Sequence, residues 1–137
     1  MFFRKEDKKE NIPLSKIGSL LIHAAKIDEH YSNEEEEIIK KTLISLGAKK
    51  ENIDDLIEIS IKEEENSNQI LEFTREVKNL PETDKVKIIE ALWKIIYSNQ
   101  NADIYETNLM RRLAGLLYID SKTMGDIKEK IKKEYSK

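Results

Sequence analysis

Apolar residues recur three and four positions apart along almost the whole chain, and no long stretch alternates strictly enough to argue for a strand. The pattern predicts an all-α fold. Leu14, Ile17, Leu21 and Ala24 share one face of a first helix over about residues 14–27, with Pro13 at its start, where proline is tolerated. A second helix from about Asn33 carries Ile39, Leu43 and Leu46 and ends at Gly47, a natural left-handed cap. Ile53, Leu56, Ile57 and Ser60 mark a third helix. Ile70, Phe73, Val77 and Leu80 mark a fourth, with Asn66-Ser67-Asn68 as the break and Pro81 as the stop. The fifth, over about residues 83–97, has Ile88, Ile89, Leu92, Trp93, Ile95 and Ile96 around much of its circumference, so it is expected at the centre. Leu109, Met110, Leu113, Leu116 and Leu117 predict a sixth over about residues 104–117, and Met124, Ile127, Ile131 and Tyr135 a seventh from Ser121. Gly18 and Gly115 fall inside helices, where glycine costs about 1 kcal/mol against alanine, and close helix–helix approach is the expected reason for both.

The length, 137 residues, suits one domain able to bury a core unaided: a helical domain over residues 13–137 behind a flexible leader of residues 1–12. The absence of cysteine removes disulfides, thiolate metal sites and thiol nucleophiles, and fits a cytoplasmic protein. Met1-Phe2-Phe3-Arg4-Lys5 is followed by polar residues where a signal peptide needs an apolar run, so export is not expected. The same segment is the one candidate for weak peripheral membrane contact. A net charge of -3 with both signs interspersed disfavours nucleic-acid binding. The acidic runs Glu34 to Glu37 and Glu63 to Glu65 are expected on solvated helix faces or ends.

An offset of 71 residues lays the first half on the second: Ile17 on Ile88, Leu21 on Leu92, Ala25 on Ile96, Ile38 on Leu109 and Leu46 on Leu117. The expectation is a bundle of about seven helices built from two degenerate helix-loop-helix repeats, whose apolar faces close on each other. Asp28 falls on Asn99 and Glu35 on Glu106, so each loop pairs two oxygen-bearing side chains seven residues apart. The second unit, from Leu92-Trp93 through Asn99-Gln100-Asn101-Ala102-Asp103 to Glu106, resembles the signature of the TerB-like (tellurite-resistance) family: an apolar helix, an Ala-Asp-Gly-type loop and a Glu seven residues on. Ala24 to Glu35 resembles the same motif, and the resemblance runs from about Leu14 to Ile131. It implies a compact helical domain of bacterial stress-response systems, found beside co-chaperone modules, with acidic loops as cation candidates and no established reaction. Glu29 and Gln100 stand where the family commonly has glycine, and Asn99 where it has the second aspartate, so a site carried by an Asp-Gly pair does not transfer directly.

Asp28, Glu35, Asp103 and Glu106 are the candidate all-oxygen ligands for Ca²⁺ or Mg²⁺, which favour several carboxylate or carbonyl oxygens. Against this, Ser32-x-x-Glu35 and Asp103-x-x-Glu106 have capping-box spacing, which accounts for both glutamates by itself; capping is the expectation, with no cofactor. His23 and His30 have no visible nucleophile or orienting acid. Trp93 is read as core, and Tyr97, Tyr105 and Tyr118 as candidates for the rim of a groove. Phosphate loops, nucleophile elbows and His-Glu-x-x-His pairs are absent. The reading is a non-enzymatic interaction or stress-response module with an unidentified protein partner; a carboxylate-metal hydrolase and a membrane-associated adaptor are the alternatives.

Overall fold

A computed structural model describes residues 13–26, 31–67, 70–98 and 104–135, the first four residues of the last segment by their backbone alone. Among them are seven α-helices and no strand, in the order α1 (Leu14–Ala25), α2 (Asn33–Ser45), α3 (Ile53–Glu65), α4 (Leu71–Val77), α5 (Glu82–Ser98), α6 (Ile104–Leu116) and α7 (Ser121–Tyr135); a 3-10 turn, Lys50–Asn52, leads into α3. The residues 1–12 and the loops that carry Asp28, His30, Asn99 and Asp103 lie outside the described residues.

Each helix buries most of the face its apolar spacing predicts, though Tyr135 at the end of α7 is exposed. Ile39 and Leu43 on α2, Ile53 and Ile57 on α3, Phe73 and Val77 on α4, Leu109, Met110 and Leu113 on α6, and Met124, Ile127 and Ile131 on α7 all enter one core. A fully buried aliphatic side chain contributes about 1.5–3 kcal/mol, so this continuous cluster supplies the main drive to fold. The centre, however, is shared. α5 packs against α1, α2 and α7, while α1 packs against α2, α3, α4 and α5. On α1, Ile17 through Ile22, Ala24 and Ala25 are all buried. Periodicity underrates α1 because two of those residues, Gly18 and Ser19, are not hydrophobic. A Cβ on Gly18 would lie 2.3 Å from Ser60 Oγ and 2.9 Å from Ser60 Cβ, so only glycine lets α3 come this close. The Ser19 hydroxyl donates into the same seam, 2.9 Å from the Ser60 carbonyl and 2.8 Å from that of Ser15. Gly115 is different: a Cβ there would meet nothing within 4 Å, and the residue is exposed. Close helix approach explains Gly18 and not Gly115.

Outside that seam α1 and α3 are strapped by charge. Lys16 reaches Glu63 at 3.7 Å, His23 lies 3.3 Å from Glu64, and Lys26 lies 3.0 Å from Glu64 and 3.8 Å from Glu65. The run Glu63 to Glu65 is therefore an interhelical clamp more than a solvated face. Such partly exposed pairs are worth a few tenths of a kcal/mol each and fix register more than stability.

The repeat is visible in the backbone. Displaced by 71 positions, Asn33–Ser45 becomes Ile104–Leu116, the full extent of α6. The two helices also end in the same hydrogen bonds. Ala48 N–H donates to the Leu43 carbonyl at 2.9 Å and Gly47 N–H to that of Ile44 at 3.0 Å; 71 residues on, Ile119 donates to Ala114 at 2.9 Å and Tyr118 to Gly115 at 3.3 Å. Both are Schellman motifs, in which the residue after the cap turns left-handed and returns two amides to orphan carbonyls of the last turn. Gly47 fills that place with φ 121° and Tyr118 with φ 59°.

Candidate functional site

The acidic entrance of α2 is the part of the sequence-predicted cation site that lies within the described residues. Ser32 stands at the N-cap in extended conformation, φ -82° and ψ 164°, which lets its side chain reach back over the first turn. The Ser32 hydroxyl accepts the Glu35 N–H at 3.1 Å, and the Glu35 carboxylate accepts the Ser32 N–H at 2.8 Å. This is the capping box expected from the Ser-x-x-Glu spacing. Two of the orphan donors of a helix start are satisfied reciprocally, and Glu34, Glu35 and Glu36 all place negative charge against the positive end of the helix dipole.

Glu35 is fully buried, which the spacing did not foretell. Tyr31 packs on the same core edge. Burial first, then the charges of Glu36 and Glu35, push its phenol well above the usual tyrosine range, so it stays protonated. Glu36 also reaches Lys40 at 3.3 Å, and Lys40 continues to Asp54 on α3 at 3.1 Å. The entrance is thus a structural node in which one carboxylate caps, a second pairs and a tyrosine closes over them.

Of the four candidate ligands, then, only Glu35 can be placed, and it is engaged with the backbone. Asp28 and Asp103 lie outside the described residues, and Glu106 sits on α6 where only the backbone is described. Among the described residues no group of three or more His, Cys, Asp or Glu side chains gathers to hold an ion. His23 is half-exposed and engaged with Glu64. Trp93 is buried, as its helix predicts, and stacks on Tyr97 with centroids 5.9 Å apart and planes at 26°. Tyr118 is well exposed at the end of α6, with the ammonium groups of Lys78 and Lys85 at 5.7 and 5.8 Å from its ring centre. The two tyrosines therefore line no common groove; Tyr105 falls where side chains are not described.

A compact bundle of helices is the architecture that the sequence resemblance implies. The family model for the tellurite resistance protein TerB matches residues 15–129. The chain belongs to the TerB family. No curated protein and no solved structure matches it. The match spans both helical hairpins, from the start of α1 into α7. No described helix is long and apolar enough to cross a membrane.

Missed by sequence reasoning was Lys85, a buried cation that donates to the Leu117 carbonyl at 2.9 Å and so caps α6 from the side of α5. A lysine in the first turn of a helix looks solvated in any periodicity count. Its neighbour Lys87 does the same for α2, donating to the Ser45 carbonyl at 3.2 Å. A cation on the last carbonyls of a helix is favoured by the dipole.

Proposed function

We propose that this TerB-family chain is a non-enzymatic interaction module of a cytoplasmic stress-response system of the tellurite-resistance kind, acting through a protein partner. The observation that carries the reading is the use made of Glu35. Its carboxylate holds the start of α2 together and is buried, so it serves the frame of the fold instead of facing a substrate. A hydrolytic carboxylate needs at least one oxygen directed at a metal or a water in an accessible cleft. The neighbouring acids Glu36 and Asp54 are bridged by Lys40.

The test is turnover. The purified protein is assayed against p-nitrophenyl phosphate and p-nitrophenyl acetate with Mg²⁺, Mn²⁺ or Ca²⁺ present. No turnover above buffer is expected. Metal-dependent turnover that vanishes in Glu35→Gln would overturn the reading in favour of a carboxylate-metal hydrolase.

A further inference from the structure

Between α5, α6 and α7 lies a pocket of about 220 Å³ lined by Trp93, Met110, Arg111, Ala114, Met124 and Lys128, with Gly125 on its wall. It is smaller than the roughly 300–1,000 Å³ of small-molecule clefts and close to the size of one bulky side chain. Three features mark it out from ordinary surface relief. The indole N–H of Trp93 is buried and meets no acceptor among the described residues, an arrangement that is unfavourable unless something else accepts it. The ammonium of Lys128 stands 5.4 Å from the centre of the Trp93 ring. Arg111 is exposed at the rim and forms no ion pair among the described residues.

The internal repeat says what the pocket lacks. The residues 71 positions earlier, Ile22, Ile39, Leu43, Ile53 and Ile57, are all buried in the core. In the second copy Leu43 becomes Ala114, and volume is lost. Lys40 of the first copy becomes Arg111, but both carboxylates that hold Lys40 have gone: Asp54 becomes Gly125 and Glu36 becomes Thr107. A Cβ on Gly125 would meet nothing within 4 Å. The second copy therefore keeps the cation but, at the aligned positions, lacks the two carboxylates and the leucine that stand beside it in the first. Lys128 in place of Ile57 adds a second cation.

We infer that this pocket is a docking site for an acidic protein segment that presents one leucine-sized apolar side chain flanked by carboxylates. The apolar group takes the volume that Leu43 fills in the first copy, a carboxylate meets Arg111 where Asp54 meets Lys40, and a backbone carbonyl of the segment accepts the Trp93 N–H. The inference rests on the reading of the protein as an interaction module and names the chemistry of its partner.

Trp93 is the chain's one tryptophan, so its emission and its indole N–H resonance report on the pocket directly. The full chain is titrated with the peptide acetyl-Glu-Asp-Leu-Glu-Asp-amide. A saturable change at Trp93 below about 1 mM is expected. Replacing the peptide's leucine by alanine should weaken binding about tenfold or more, the loss for most of one buried aliphatic side chain. Replacing its acids by their amides should weaken it severalfold at low salt, with the difference shrinking as salt is added. The decisive variant restores the first copy. Ala114→Leu with Gly125→Asp should abolish peptide binding while raising Tm by about 3 °C or more, as the pocket fills from within. If that variant fails to fold, Arg111→Glu, at an exposed position, replaces it and should lose about tenfold in affinity with an unchanged far-UV spectrum. Absence of binding, equal binding of the neutral peptide, undiminished binding by a folded restored variant, or preference for octanoate or anionic vesicles over the peptide would each overturn the inference. None of these touches the turnover assay, so failure of the docking site and failure of the non-enzymatic reading are told apart.

Discussion

In the first copy of the repeat the positions matching those that line the second-copy pocket are sealed by other parts of the chain. Gly18 admits Ser60, Leu43 fills the space beneath α3, Lys40 finds Glu36 and Asp54, and Gly47 turns the chain at the end of α2. The second copy has the same helix length and the same terminal hydrogen bonds, yet it leaves a pocket at Gly125, an Arg111 with no ion pair among the described residues and a tyrosine in the left-handed region. Two sequences that fold to the same hairpin have thus been spent differently. One fills this position from within, and the other keeps an open pocket there. Backbone hydrogen bonds and apolar spacing tolerate both outcomes, since neither depends on which apolar residue fills a site or which cation finds an acid.

The largest break in this contrast is expected at the glycines. Gly18→Ala should destabilise the protein by about 2 kcal/mol, the overpacking cost at a contact with nowhere to go exceeding the gain in helix propensity. Gly115→Ala in the second copy should stabilise by up to about 1 kcal/mol, because its Cβ enters open space and only the helix-propensity gain remains. Urea melts of the two variants should move in opposite directions. A fall for both would show that the copies are equally tight.

A smaller effect tests the two left-handed caps. Gly47→Ala should cost about 1–2 kcal/mol, since φ 121° is strained for any residue with a Cβ. Tyr118→Gly should change stability by less than about 0.5 kcal/mol: relief of about 1 kcal/mol of left-handed strain is offset by loss of two exposed cation–π contacts worth about 0.5 kcal/mol each. A large gain in Tyr118→Gly would mean that Lys78 and Lys85 contribute nothing through the ring. In that case the tyrosine has no structural account.

The smallest expected effect sharpens the reading of the acidic loop. Glu35→Gln should be nearly silent in thermal melts, because an amide oxygen still accepts the Ser32 N–H, and millimolar Ca²⁺ or Mg²⁺ should leave Tm unmoved in both proteins. A metal-dependent rise in the native protein that is lost in Asp28→Asn would instead establish a cation at the first loop.

How much of this was legible beforehand follows the range of the interactions. The start of α2 at Ser32 and Glu35 was readable because a capping box is closed within four residues. The stop after Leu46 was readable because Gly47 needs no distant partner to turn left-handed. The matching stop at Tyr118 was not, since a tyrosine carries no such signal and the turn is held by amides from its own helix end and by Lys85 reaching across from α5. Gly18 and Gly115 look alike in sequence, and only the approach of Ser60 separates them.

Local spacing, then, determined by itself that the chain is helical, where the capped helix α2 starts and stops, and that two hairpins are copies, because helix hydrogen bonds and caps join residues only three to five apart. The tertiary structure alone decided that α1 shares the centre with α5, that Glu63 to Glu65 clamp α1, and that Arg111 stands beside a space its counterpart has filled. Those facts depend on which side chains from distant helices reach the same few ångströms. Periodicity says which face is buried but not what lies against it.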